Sequence, residues 1–357
     1  MSVLIKRTDS SSGGGSSKGY PIGNVTNVTI KGGNKKVTIK WTDPDDVVIG
    51  DKTLSTWQST TLVRKKGSIP TSIKDGDTVL ETTEKNKYKN TEYTDNNLEI
   101  DTYYYRFFVC NTDKIYNNDS GMIYSAAVVE IDPVLKNNTW EQIASASESG
   151  NIPSTWKVGD EIDLTLSGTF NETVTLQIWD FNHFDKSDGS GKAGIVFGMK
   201  NLMKNTQQMN SSDTNSGGWN NTAMCKTVMQ NILNSMPSNL QNYIKEVNTY
   251  ANRGGSSSSS SSTGKLCKNK VFLPGCTEVG FTYQSNTESN QKQFPIFTDN
   301  SRIKKLSNGT GNAENWWTRS PNYNNSNNFC YVLLDGPSGY SGGSASGKSG
   351  VCFCFNV

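Results

Sequence analysis

The segment from residue 316 to residue 357 constrains the fold most, because apolar blocks at both of its ends enclose a polar middle. It begins with the aromatic and proline block Trp316–Pro321 and closes on a hydrophobic run at residues 351–355. Between them lie an asparagine-rich loop and a stretch of Gly, Ser, Tyr and Leu. Both ends have to pack in a core, so the middle is held at a surface. Tyr gives contact area at low entropic cost and Ser, Gly and Asn give adaptable hydrogen bonds, which is the composition of a contact surface.

Length and composition limit the classes of protein that the chain can belong to. Its 357 residues are enough for two to three domains. Only 33% of the residues are hydrophobic and the net charge is +2 at pH 7. The surface is therefore rich in neutral polar side chains, and the lack of a basic stripe argues against nucleic acid as a partner.

No targeting or membrane segment is predicted. No apolar run approaches the length of about 18 residues that a membrane-spanning helix needs, and residues 1–7 are too short and too charged for a signal peptide. We therefore expect no membrane insertion. The protein is expected to be synthesised in the cytoplasm without a signal peptide, and to act there or to leave by another route, such as a virion released by lysis.

The seven cysteines lack the CxxC spacing of metal sites. Cys352 and Cys354 are two residues apart in a predicted strand, so they point to one face with a geometry poorly suited to a mutual disulfide. We therefore predict buried free thiols. A loop staple between Cys267 and Cys276 is the alternative.

A Gly- and Ser-rich stretch at residues 8–19 is typical of a flexible linker. We therefore assign residues 1–19 to a flexible N-terminal tether. The short apolar and basic peptide that precedes the linker is either a disordered terminus or a docking peptide for a larger assembly.

Residues 20–132 have the pattern of an all-β sandwich. Residues 25–30 and residues 36–41 alternate in hydrophobicity with period two and flank a Gly-Gly-Asn turn. Trp41 ends the second of these strands, where the core of a sandwich needs a large side chain.

One spacing within this region resembles the fibronectin type III signature. It consists of Leu98, Ile100, Thr102 and Tyr104. The resemblance implies that Tyr104 forms the tyrosine corner of such a domain. Domains of this kind serve as spacers or adaptors, and the fold alone assigns no activity.

The second predicted domain spans residues 138–357 and has an irregular α+β pattern. Residues 132–138 form the predicted linker before it. Thr139 is a suitable N-cap for a short amphipathic helix through Ala146. Strands are predicted at residues 162–166 and 173–179.

A longer helix is predicted at residues 219–235, because five apolar residues share one helical face. They are Met224, Val228, Met229, Ile232 and Leu233. Pro237 interrupts this helix, which is predicted to restart and to continue to about Tyr250. The serine run at residues 256–262 is predicted to be a surface loop. Further strands are predicted at residues 271–273, 329–332 and 351–355.

No residue pattern marks a catalytic centre. His183 follows a predicted strand with carboxylates nearby and is either a general base or a structural residue, since no nucleophile accompanies it in sequence. The stretch from Asp185 to Gly191 is either a partial calcium loop without a distal Glu or a Gly-rich turn. Arg319 is expected to donate to loop carbonyl groups, with an anion site as the alternative. Trp316 and Trp317 point to opposite faces of a strand, so at least one belongs to the core and the other could stack on a sugar.

The dipeptide Asp335-Gly336 predicts a two-residue hairpin turn after the strand that ends at Leu334. Side chains in that strand alternate between two faces, so one of two sets is expected to be displayed. The sets are Phe329, Tyr331 and Leu333 on one face and Cys330, Val332 and Leu334 on the other. Residues 337–350 are too poor in apolar side chains to bury themselves and are predicted to lie exposed.

Seven segments distinguish residues 139–357. They are Thr139-Trp-Glu-Gln-Ile, Trp156-Lys-Val-Gly-Asp, Phe181-Asn-His, Asp188-Gly-Ser-Gly-Lys-Ala-Gly, Gly217-Gly-Trp-Asn-Asn, Trp316-Trp-x-Arg-Ser-Pro and Gly350-Val-Cys-Phe. Together they resemble a domain found in phages and prophages of Firmicutes and related gut bacteria. Such domains resemble the C-type-lectin-like fold of variable proteins made by diversity-generating retroelements, the class of the phage major tropism determinant. Residues 1–131 are similar to the N-terminal part of tail proteins from the same phages.

The resemblance implies that adenine mutagenesis of Asn codons rewrites the C-terminal segment and gives new receptor-binding surfaces on a fixed scaffold. Changing the two adenines of an Asn codon never yields Trp, Met, Glu, Gln or Lys. Residues 329–357 contain none of these except Lys348. Cys354 and Asn356 depart from the pattern, in which Gly and a Cys or small residue are expected.

The function that the resemblance implies is that of a phage tail receptor-binding protein, with no catalytic residue, metal or cofactor. The variable segment spans residues 320–350, with Tyr residues as anchors and Ser residues as adaptable contacts. The expected ligand-binding residues are Tyr323, Tyr331, Leu333, Leu334, Pro337, Tyr340, Ser341, Ser344 and Ser346. The expected fixed frame is Trp140, Trp219, Trp316, Trp317, Arg319, Phe353 and Phe355.

The expected partners are a host cell-surface protein or glycan and, through the N-terminal region, other phage tail proteins. This reading places the protein in the virion, with a homo-oligomer as one option. Two alternatives stay open, namely a virion-associated enzyme that acts on host-surface glycans and a purely structural tail decoration protein. A glycan hydrolase needs two converging carboxylates. An oxidase related to the formylglycine-generating enzyme needs a redox-active pair, for which only Cys352 and Cys354 qualify.

Overall fold

The computed structural model describes residues 19–117, 119, 121–255, 265–281, 291–307, 311–323, 325–336 and 340–357. The chain divides into two compact units, Met1–Val129 and Glu130–Val357. Both are dominated by antiparallel β-sheets, and the described helices are few and short. The predicted tether before residue 19 and the serine run at residues 256–262 lie outside the described residues.

The first unit contains two main antiparallel sheets. Strands β1, β2 and β7 form the first sheet in that order, and strands β6, β5, β8 and β9 form the second. Strands β3 and β4 make a small separate hairpin. The bounds are β1 Thr26–Gly33, β2 Lys36–Thr42, β3 Val47–Ile49, β4 Lys52–Ser55, β5 Trp57–Lys66, β6 Asp77–Thr82, β7 Tyr93–Asn96, β8 Asp101–Asn111 and β9 Ile123–Val128.

Side chains from both sheets meet in one hydrophobic core. Trp41 of β2 packs edge-on against Phe107 of β8, with ring centroids 5.1 Å apart. Its indole Nε1 donates to Asp43 at 3.0 Å, so the one polar atom of this buried ring is satisfied. The prediction that Trp41 fills the core is confirmed.

The tyrosine that enters this core is the neighbour of the one predicted. Tyr105 is fully buried and donates its hydroxyl to Asp95 at 2.7 Å. Tyr104 is partly exposed, because successive side chains of β8 point to opposite faces. The expected tyrosine corner at Tyr104 is therefore wrong in this structure.

The predicted linker at residues 132–138 is an ordered part of the second unit. Residues Leu135–Asn137 form a short 3-10 helix with Leu135 buried. The Asn138 side chain donates to the carbonyl groups of Asp132 and Val134, at 3.1 Å and 2.9 Å. These bonds fold the segment back on itself, which composition alone does not reveal.

The second unit is built around a five-stranded sheet with the order β10-β11-β12-β21-β16. A three-stranded sheet, β17-β18-β19, and the two-stranded pairs β13-β20 and β14-β15 surround it. The strands are β10 Glu161–Leu166, β11 Glu172–Phe181, β12 Ile195–Met199, β13 Gln207–Gln208, β14 Val247–Ala251, β15 Lys265–Asn269, β16 Val271–Phe272, β17 Trp316–Pro321, β18 Asn328–Val332, β19 Tyr340–Ser344, β20 Lys348–Ser349 and β21 Cys354–Asn356. The α-helices are α1 Trp140–Glu148, α2 Met229–Ser235 and α3 Ser238–Tyr243.

Helix α1 begins where the sequence predicts. Thr139 is the N-cap, its hydroxyl accepts from the Gln142 amide, and the Gln142 side chain accepts from the Thr139 amide. This reciprocal pair is a capping box. The apolar face of the helix packs inward through Trp140 and Ile143.

The predicted helix from Pro237 to about Tyr250 is wrong in its second half. Helix α3 ends at Tyr243, and β14 follows at Val247–Ala251. The buried Val247, Thr249 and Ala251 alternate with the half-buried Asn248 and Tyr250, and the strand pairs with β15. This period-two alternation of β-branched residues favours a strand over a helix. The upstream helix is also divided, with a π-helical turn at Met224–Val228 before α2.

The C-terminal strand lies inside the main sheet. Phe355 of β21 pairs with Phe197 of β12 on one side and with Val271 of β16 on the other. Its ring also packs against Trp140 of α1. All seven residues of the expected frame are buried, so this end of the variable segment is fixed to the core.

The hairpin between β18 and β19 is longer than predicted. Val332 pairs with Tyr340, so a loop rather than a two-residue turn joins the strands. Gly336 has a φ of +71° and lies so close to the Asn300–Arg302 3-10 helix that a Cβ would be 2.7 Å from Ile303 Cγ1. The Asp-Gly pair therefore allows a close backbone approach. It lies in a turn in which the Gly336 amide donates to the Leu333 carbonyl at 2.9 Å, but this turn does not directly join the two strands.

All seven cysteines are free thiols, and Cys225 is the one among them that is not fully buried. The predicted free thiols are confirmed, and the alternative staple between Cys267 and Cys276 does not form. In the described parts of the chain, no helix has the length and apolar character needed to cross a bilayer.

Candidate functional site

The β17-β18-β19 sheet presents one partly exposed face. Tyr331 on β18 is half-buried, and its ring meets the Trp317 indole edge-on at 5.7 Å. Gly343 on β19 has no side chain at the place where the Tyr331 ring lies, and a Cβ there would collide with that ring. Trp317 is buried and donates its Nε1 to the Gln207 carbonyl at 2.8 Å. The Tyr331 ring is thus held on a rigid base with one side open.

Of the two predicted faces of β18, the one that carries Tyr331 is the more exposed. Cys330 and Val332 are fully buried on the opposite face. Phe329 is also buried, so the exposed part of the strand is limited to its second half. Leu333 is half-buried and Leu334 is 50% exposed.

The remaining residues expected to bind a ligand are described in turn, first Tyr323, then Pro337, Tyr340 and Ser341, and then Ser344 and Ser346. Tyr323 is half-buried and packs against a small cluster of Cys276 and Cys330. The backbone of Tyr340 and Ser341 lies in β19, whereas their side chains and the whole of Pro337 lie outside the described residues.

Ser344 and Ser346 are held by a carboxylate that the sequence analysis did not single out. The hydroxyl groups of both serines and the amide of Ser346 donate to Asp213 Oδ1, the amide at 3.0 Å. The hydroxyl of Ser344, with further hydrogen bonds from Ser346, lowers the pKa of Asp213 below its ordinary value of 3.8. Both hydroxyl groups are thus already engaged within the protein. The prediction that residues 337–350 lie exposed is wrong at Ala345, Ser349 and Gly350, which are buried.

The asparagine-rich loop is anchored by Asn215. Its buried side-chain Nδ2 donates to three backbone carbonyl groups, and its Oδ1 accepts from the Gly255 amide at 2.7 Å. The three carbonyl groups belong to Asn322, Asn325 and Asn328, at 3.0, 2.7 and 2.7 Å. One amide side chain therefore fixes the start, the middle and the end of this loop. We call Asp213 and Asn215, with the loops they hold, the polar clamp.

Behind the loops, Arg319 and Glu278 form an ion pair in which both side chains are fully buried. Arg319 Nη1 donates to Glu278 Oε2 at 2.6 Å and to the Leu273 carbonyl at 2.9 Å, and Nε donates to the Tyr250 carbonyl at 3.0 Å. The expectation that Arg319 donates to loop carbonyl groups is confirmed. Because it is buried and paired, Arg319 is not available to an external anion.

A groove with a volume of about 600 Å³ adjoins the sheet. Its lining is rich in amides and hydroxyl groups and includes Asn205, Thr206, Gln207, Gln208, Asn210 and Lys348. Gln207 and Gln208 pair with Ser349 and Lys348 through β13 and β20. Trp317 connects the groove with Tyr331, because its Nε1 donates to the carbonyl of Gln207 in the groove lining and its ring contacts the Tyr331 ring. This arrangement offers polar donors and acceptors beside a fixed aromatic ring.

Two sets of residues are candidates for chemistry, namely the Cys352 and Cys354 thiols for redox catalysis and the segment from Asp185 to Gly191 for calcium binding. Burial raises the pKa values of the Cys352 and Cys354 thiols, and both side chains are fully buried, so neither presents a thiolate to a substrate. Asp185 pairs with Lys192 at 2.8 Å, and Asp188 accepts from the Ser190 amide in a turn with left-handed Gly189 and Gly191. The described residues contain no group of three or more His, Cys, Asp or Glu side chains placed to hold a metal ion. The segment forms the Gly-rich turn.

Sequence reasoning found the frame and the displayed strand but missed the polar clamp. Asp213 and Asn215 stand in a run of Ser, Asn and Gly, which reads only as a loop. A buried amide that satisfies three carbonyl groups has no periodicity in sequence. The one available signal is the closeness of an Asp and an Asn to Gly217 and Gly218, both of which adopt positive φ.

Residues 193–357 match the family model described as "Domain of unknown function (DUF6273)". The match covers less than half of the chain and includes β12, the polar clamp and the whole C-terminal segment. No curated protein has a sequence that matches this chain.

Proposed function

We propose that the chain is a phage tail receptor-binding protein, and that the surface around Tyr331, Leu333 and Leu334 contacts the host. The observation that carries the proposal is the arrangement of this surface. The half-buried Tyr331 lies on β18 opposite the buried Cys330 and Val332, and the half-buried Leu333 and the exposed Leu334 follow the end of that strand. Such a rigid aromatic anchor beside adaptable polar groups is typical of binding surfaces.

The way in which residues 316–357 are attached to the core supports a fixed scaffold with a replaceable surface. Trp316, Trp317 and Arg319 bury its beginning, and β21 places its end inside the main sheet. The polar clamp holds the loops between these points mainly through backbone atoms. The three groups that Asn215 Nδ2 binds are backbone carbonyl oxygens, which every residue type supplies. Changes of side chain in these loops therefore leave this part of the anchoring in place.

The groove favours a glycan as the host ligand. Its lining of amides and hydroxyl groups matches the many donors and acceptors of a sugar, and the Tyr331 ring supplies an apolar face. The oxidase alternative receives less support, because Cys352 and Cys354 are both buried.

The finer fold assignments are part of the same proposal. The sheet orders β1-β2-β7 and β6-β5-β8-β9 around a shared core support a fibronectin type III-like first unit. The central β21 strand, helix α1 and the loop-borne surface support a C-type-lectin-like second unit. The first unit then serves as a spacer, and the N-terminal tether docks to other tail proteins in the virion.

Binding of the fluorescently labelled chain to a panel of intact bacterial cells tests the proposal. We expect saturable binding to a subset of strains, and loss of binding after periodate oxidation of surface glycans but not after protease treatment. Loss after protease alone identifies a protein receptor. Binding to none of the strains supports a decoration protein, and release of soluble sugar from the cells supports an enzyme.

A further inference from the structure

The first unit carries a polar sheet face on the side opposite its hydrophobic core. In the sheet β1-β2-β7, the side chains of Val37, Ile39 and Trp41 are buried in that core. Because side chains alternate along a strand, the residues between them point outward. The outward side chains are Thr29 and Lys31 of β1, Lys36, Thr38, Lys40 and Thr42 of β2, and Thr94 and Asn96 of β7. We call this surface the lysine face.

Three lysines lie close together on the lysine face. Lys31 pairs with Thr38 across the strands, and Lys36 and Lys40 stand two positions before and after Thr38. Lys31 is therefore a diagonal neighbour of both other lysines, at about 7–8 Å. Along β2, four residues at ~3.3 Å each separate Lys36 from Lys40. Like charges in such an array repel one another, and a bound anion relieves this repulsion.

The three lysines have no counter-charge among the described residues. None of Lys31, Lys36 and Lys40 forms an ion pair there, and the side chains that face them across the strands are those of threonine and asparagine. The neighbouring sheet differs. The three consecutive cations at residues 64–66 of β5 each lie within 2.7 Å of a carboxylate oxygen. The first unit thus pairs its cations on one sheet and leaves them unpaired on the other.

One carboxylate borders the lysine face. Tyr93 pairs with Ile39, and the same register carried one residue further brings Glu92, which directly precedes β7, to Lys40. Glu92 is exposed and forms no ion pair with a described residue. The lysine face therefore keeps an excess of positive charge, with one acidic side chain at its border.

The arrangement of charge selects the chemistry of the ligand. Lysine ammonium groups bind phosphate as point charges, and threonine hydroxyl groups bond to phosphate oxygens or to hydroxyl groups of a ligand. Cations at successive steps along a flat face fit a chain with repeating charges better than one compact anion. The outward side chains include no aromatic ring on which the bases of a single-stranded nucleic acid could stack. An extended polymer of polyol phosphates offers both the repeating charge and the hydroxyl groups.

We propose that the lysine face binds a linear polyol phosphate polymer of the bacterial surface through Lys31, Lys36 and Lys40. The place of this polymer on the host rests on the proposed function, whereas its chemistry follows from the lysine face alone. Three charge contacts give weak binding that depends on salt. The logarithm of the dissociation constant should rise with the logarithm of the salt concentration, with a slope of about 2.

A synthetic glycerol phosphate oligomer is the probe. Its binding to the full chain is measured by fluorescence anisotropy beside that of an oligothymidine with the same number of phosphates. The two polymers carry equal charge, but only the first has free hydroxyl groups along its length. We expect saturable binding of the glycerol phosphate oligomer, and weaker binding of oligothymidine. No binding of the glycerol phosphate oligomer, or equal or tighter binding of oligothymidine, overturns the proposal.

Matched variants separate the lysine face from the general charge of the protein. The triple variant Lys31→Gln/Lys36→Gln/Lys40→Gln should bind the glycerol phosphate oligomer at least tenfold more weakly, a loss of about 1.4 kcal/mol. Circular dichroism checks that it is folded. The control makes the same change at three exposed lysines elsewhere in the first unit, Lys52→Gln, Lys74→Gln and Lys114→Gln. Equal losses in the two triple variants, or unchanged affinity in the first, contradict the proposal.

A gain of binding completes the test. Glu92→Gln removes the bordering carboxylate and should tighten binding of the glycerol phosphate oligomer about twofold, whereas the exposed Glu81→Gln on β6 should not. The variant Tyr331→Ala/Leu334→Ser should bind the oligomer like the unaltered chain. A failure of the lysine face is thereby distinguished from a failure of the function proposed for the Tyr331 surface.

Discussion

The carboxylate of Asp213 accepts a hydrogen bond from the backbone amide of Ser346 at 3.0 Å, although 133 positions separate the two residues in sequence. Because the same oxygen also accepts the hydroxyl groups of Ser344 and Ser346, one exposed side chain ties the end of β19 to a distant loop. The conformation of the C-terminal segment therefore depends on a residue well outside it.

Replacing Asp213 should release this part of the segment. In Asp213→Ala we expect faster hydrogen exchange at the amides of residues 344–346 and little change in the main sheet. Asp213→Asn keeps an acceptor and should protect these amides partly. Hydrogen exchange measured by mass spectrometry checks both variants, and unchanged exchange in Asp213→Ala contradicts the role of the clamp.

The same contact should open in acid. The pKa of Asp213 is lowered in the folded protein, so its contribution is complete above the ordinary value of 3.8 and is lost as the pH falls through the lowered value. Protection of the Ser346 amide should fall over that range in the unaltered chain. It should not fall in Asp213→Asn, which does not titrate.

Asn215 should be the more sensitive half of the polar clamp because it is buried. Asn215→Ala removes the side chain that binds three carbonyl groups and the Gly255 amide, although the carbonyl groups of Asn325 and Asn328 each keep a backbone amide donor. It should lower the free energy of unfolding by about 1–3 kcal/mol. Asn215→Asp places an oxygen against those carbonyl groups and should cost more. Urea unfolding measures the change, and the exposed Asn242→Ala is the matched control. Equal stability of the Asn215 and Asn242 variants would refute the anchoring role.

Breaking the Arg319–Glu278 ion pair should be costly from either side. Arg319→Met or Glu278→Gln leaves a charge buried without its partner, and each should destabilise the second unit by about 3–5 kcal/mol. The double variant Arg319→Met/Glu278→Leu should cost less than the sum of the two single changes. Additive losses in a double-mutant cycle of urea unfolding would show that the two side chains act independently.

The buried Lys304 makes the free energy of unfolding depend on pH in the alkaline range. Burial lowers its pKa from 10.5, although the neighbouring Cys352 opposes the shift, and its Nζ donates to the carbonyl groups of Met199 and Lys200 at 2.7 and 2.9 Å. The unfolded chain therefore binds a proton more readily than the folded one below pH 10.5. The contribution of Lys304 to stability is complete above pH 10.5 and is lost as the pH falls through the lowered pKa of the folded protein.

The variant Lys304→Met removes this titration. The free energy of unfolding of the unaltered chain should rise relative to Lys304→Met as the pH increases towards 10.5. Because Lys304 and Cys352 shift each other's pKa values, the comparison is also made with Cys352→Ala in both proteins, which removes the titration of the thiol. A difference that does not change with pH would show that Lys304 keeps its ordinary pKa.

Some of this architecture follows from the sequence by short-range rules. The Thr139 cap, the alternating strands and the burial of Trp41 depend on neighbours in sequence, so pattern reasoning finds them. The predicted helix extends too far because it includes Val247, Thr249 and Ala251, whose alternation with half-buried residues fits a strand. Tyr104 was chosen over Tyr105 because a signature fixes spacing, whereas the core face is set by pairing across the sheet.

The site is less predictable than the frame. Tyr331 and Leu334 could be found because an alternating strand displays one face, and Leu334 follows its end. Asp213 and Asn215 could not, because their partners in the C-terminal segment lie more than 100 positions away and are mainly backbone groups, which leave no residue pattern. The two-residue hairpin turn predicted at Asp335-Gly336 is wrong for a similar reason. Gly336 lies against Ile303, which is distant in sequence, and not against the facing strand.

The central claim is that the surface of Tyr331 and Leu334 binds the host while the frame beneath it only supports it. The direct measurement compares cell binding of the double variant Tyr331→Ala/Leu334→Ser with that of Leu266→Ser, whose side chain is 45% exposed on β15. We predict at least tenfold weaker binding for the double variant, a loss of about 1.4 kcal/mol, with a melting temperature within a few degrees of the unaltered chain. Leu266→Ser should bind normally. A folded double variant that binds the same cells with unchanged affinity would contradict the account.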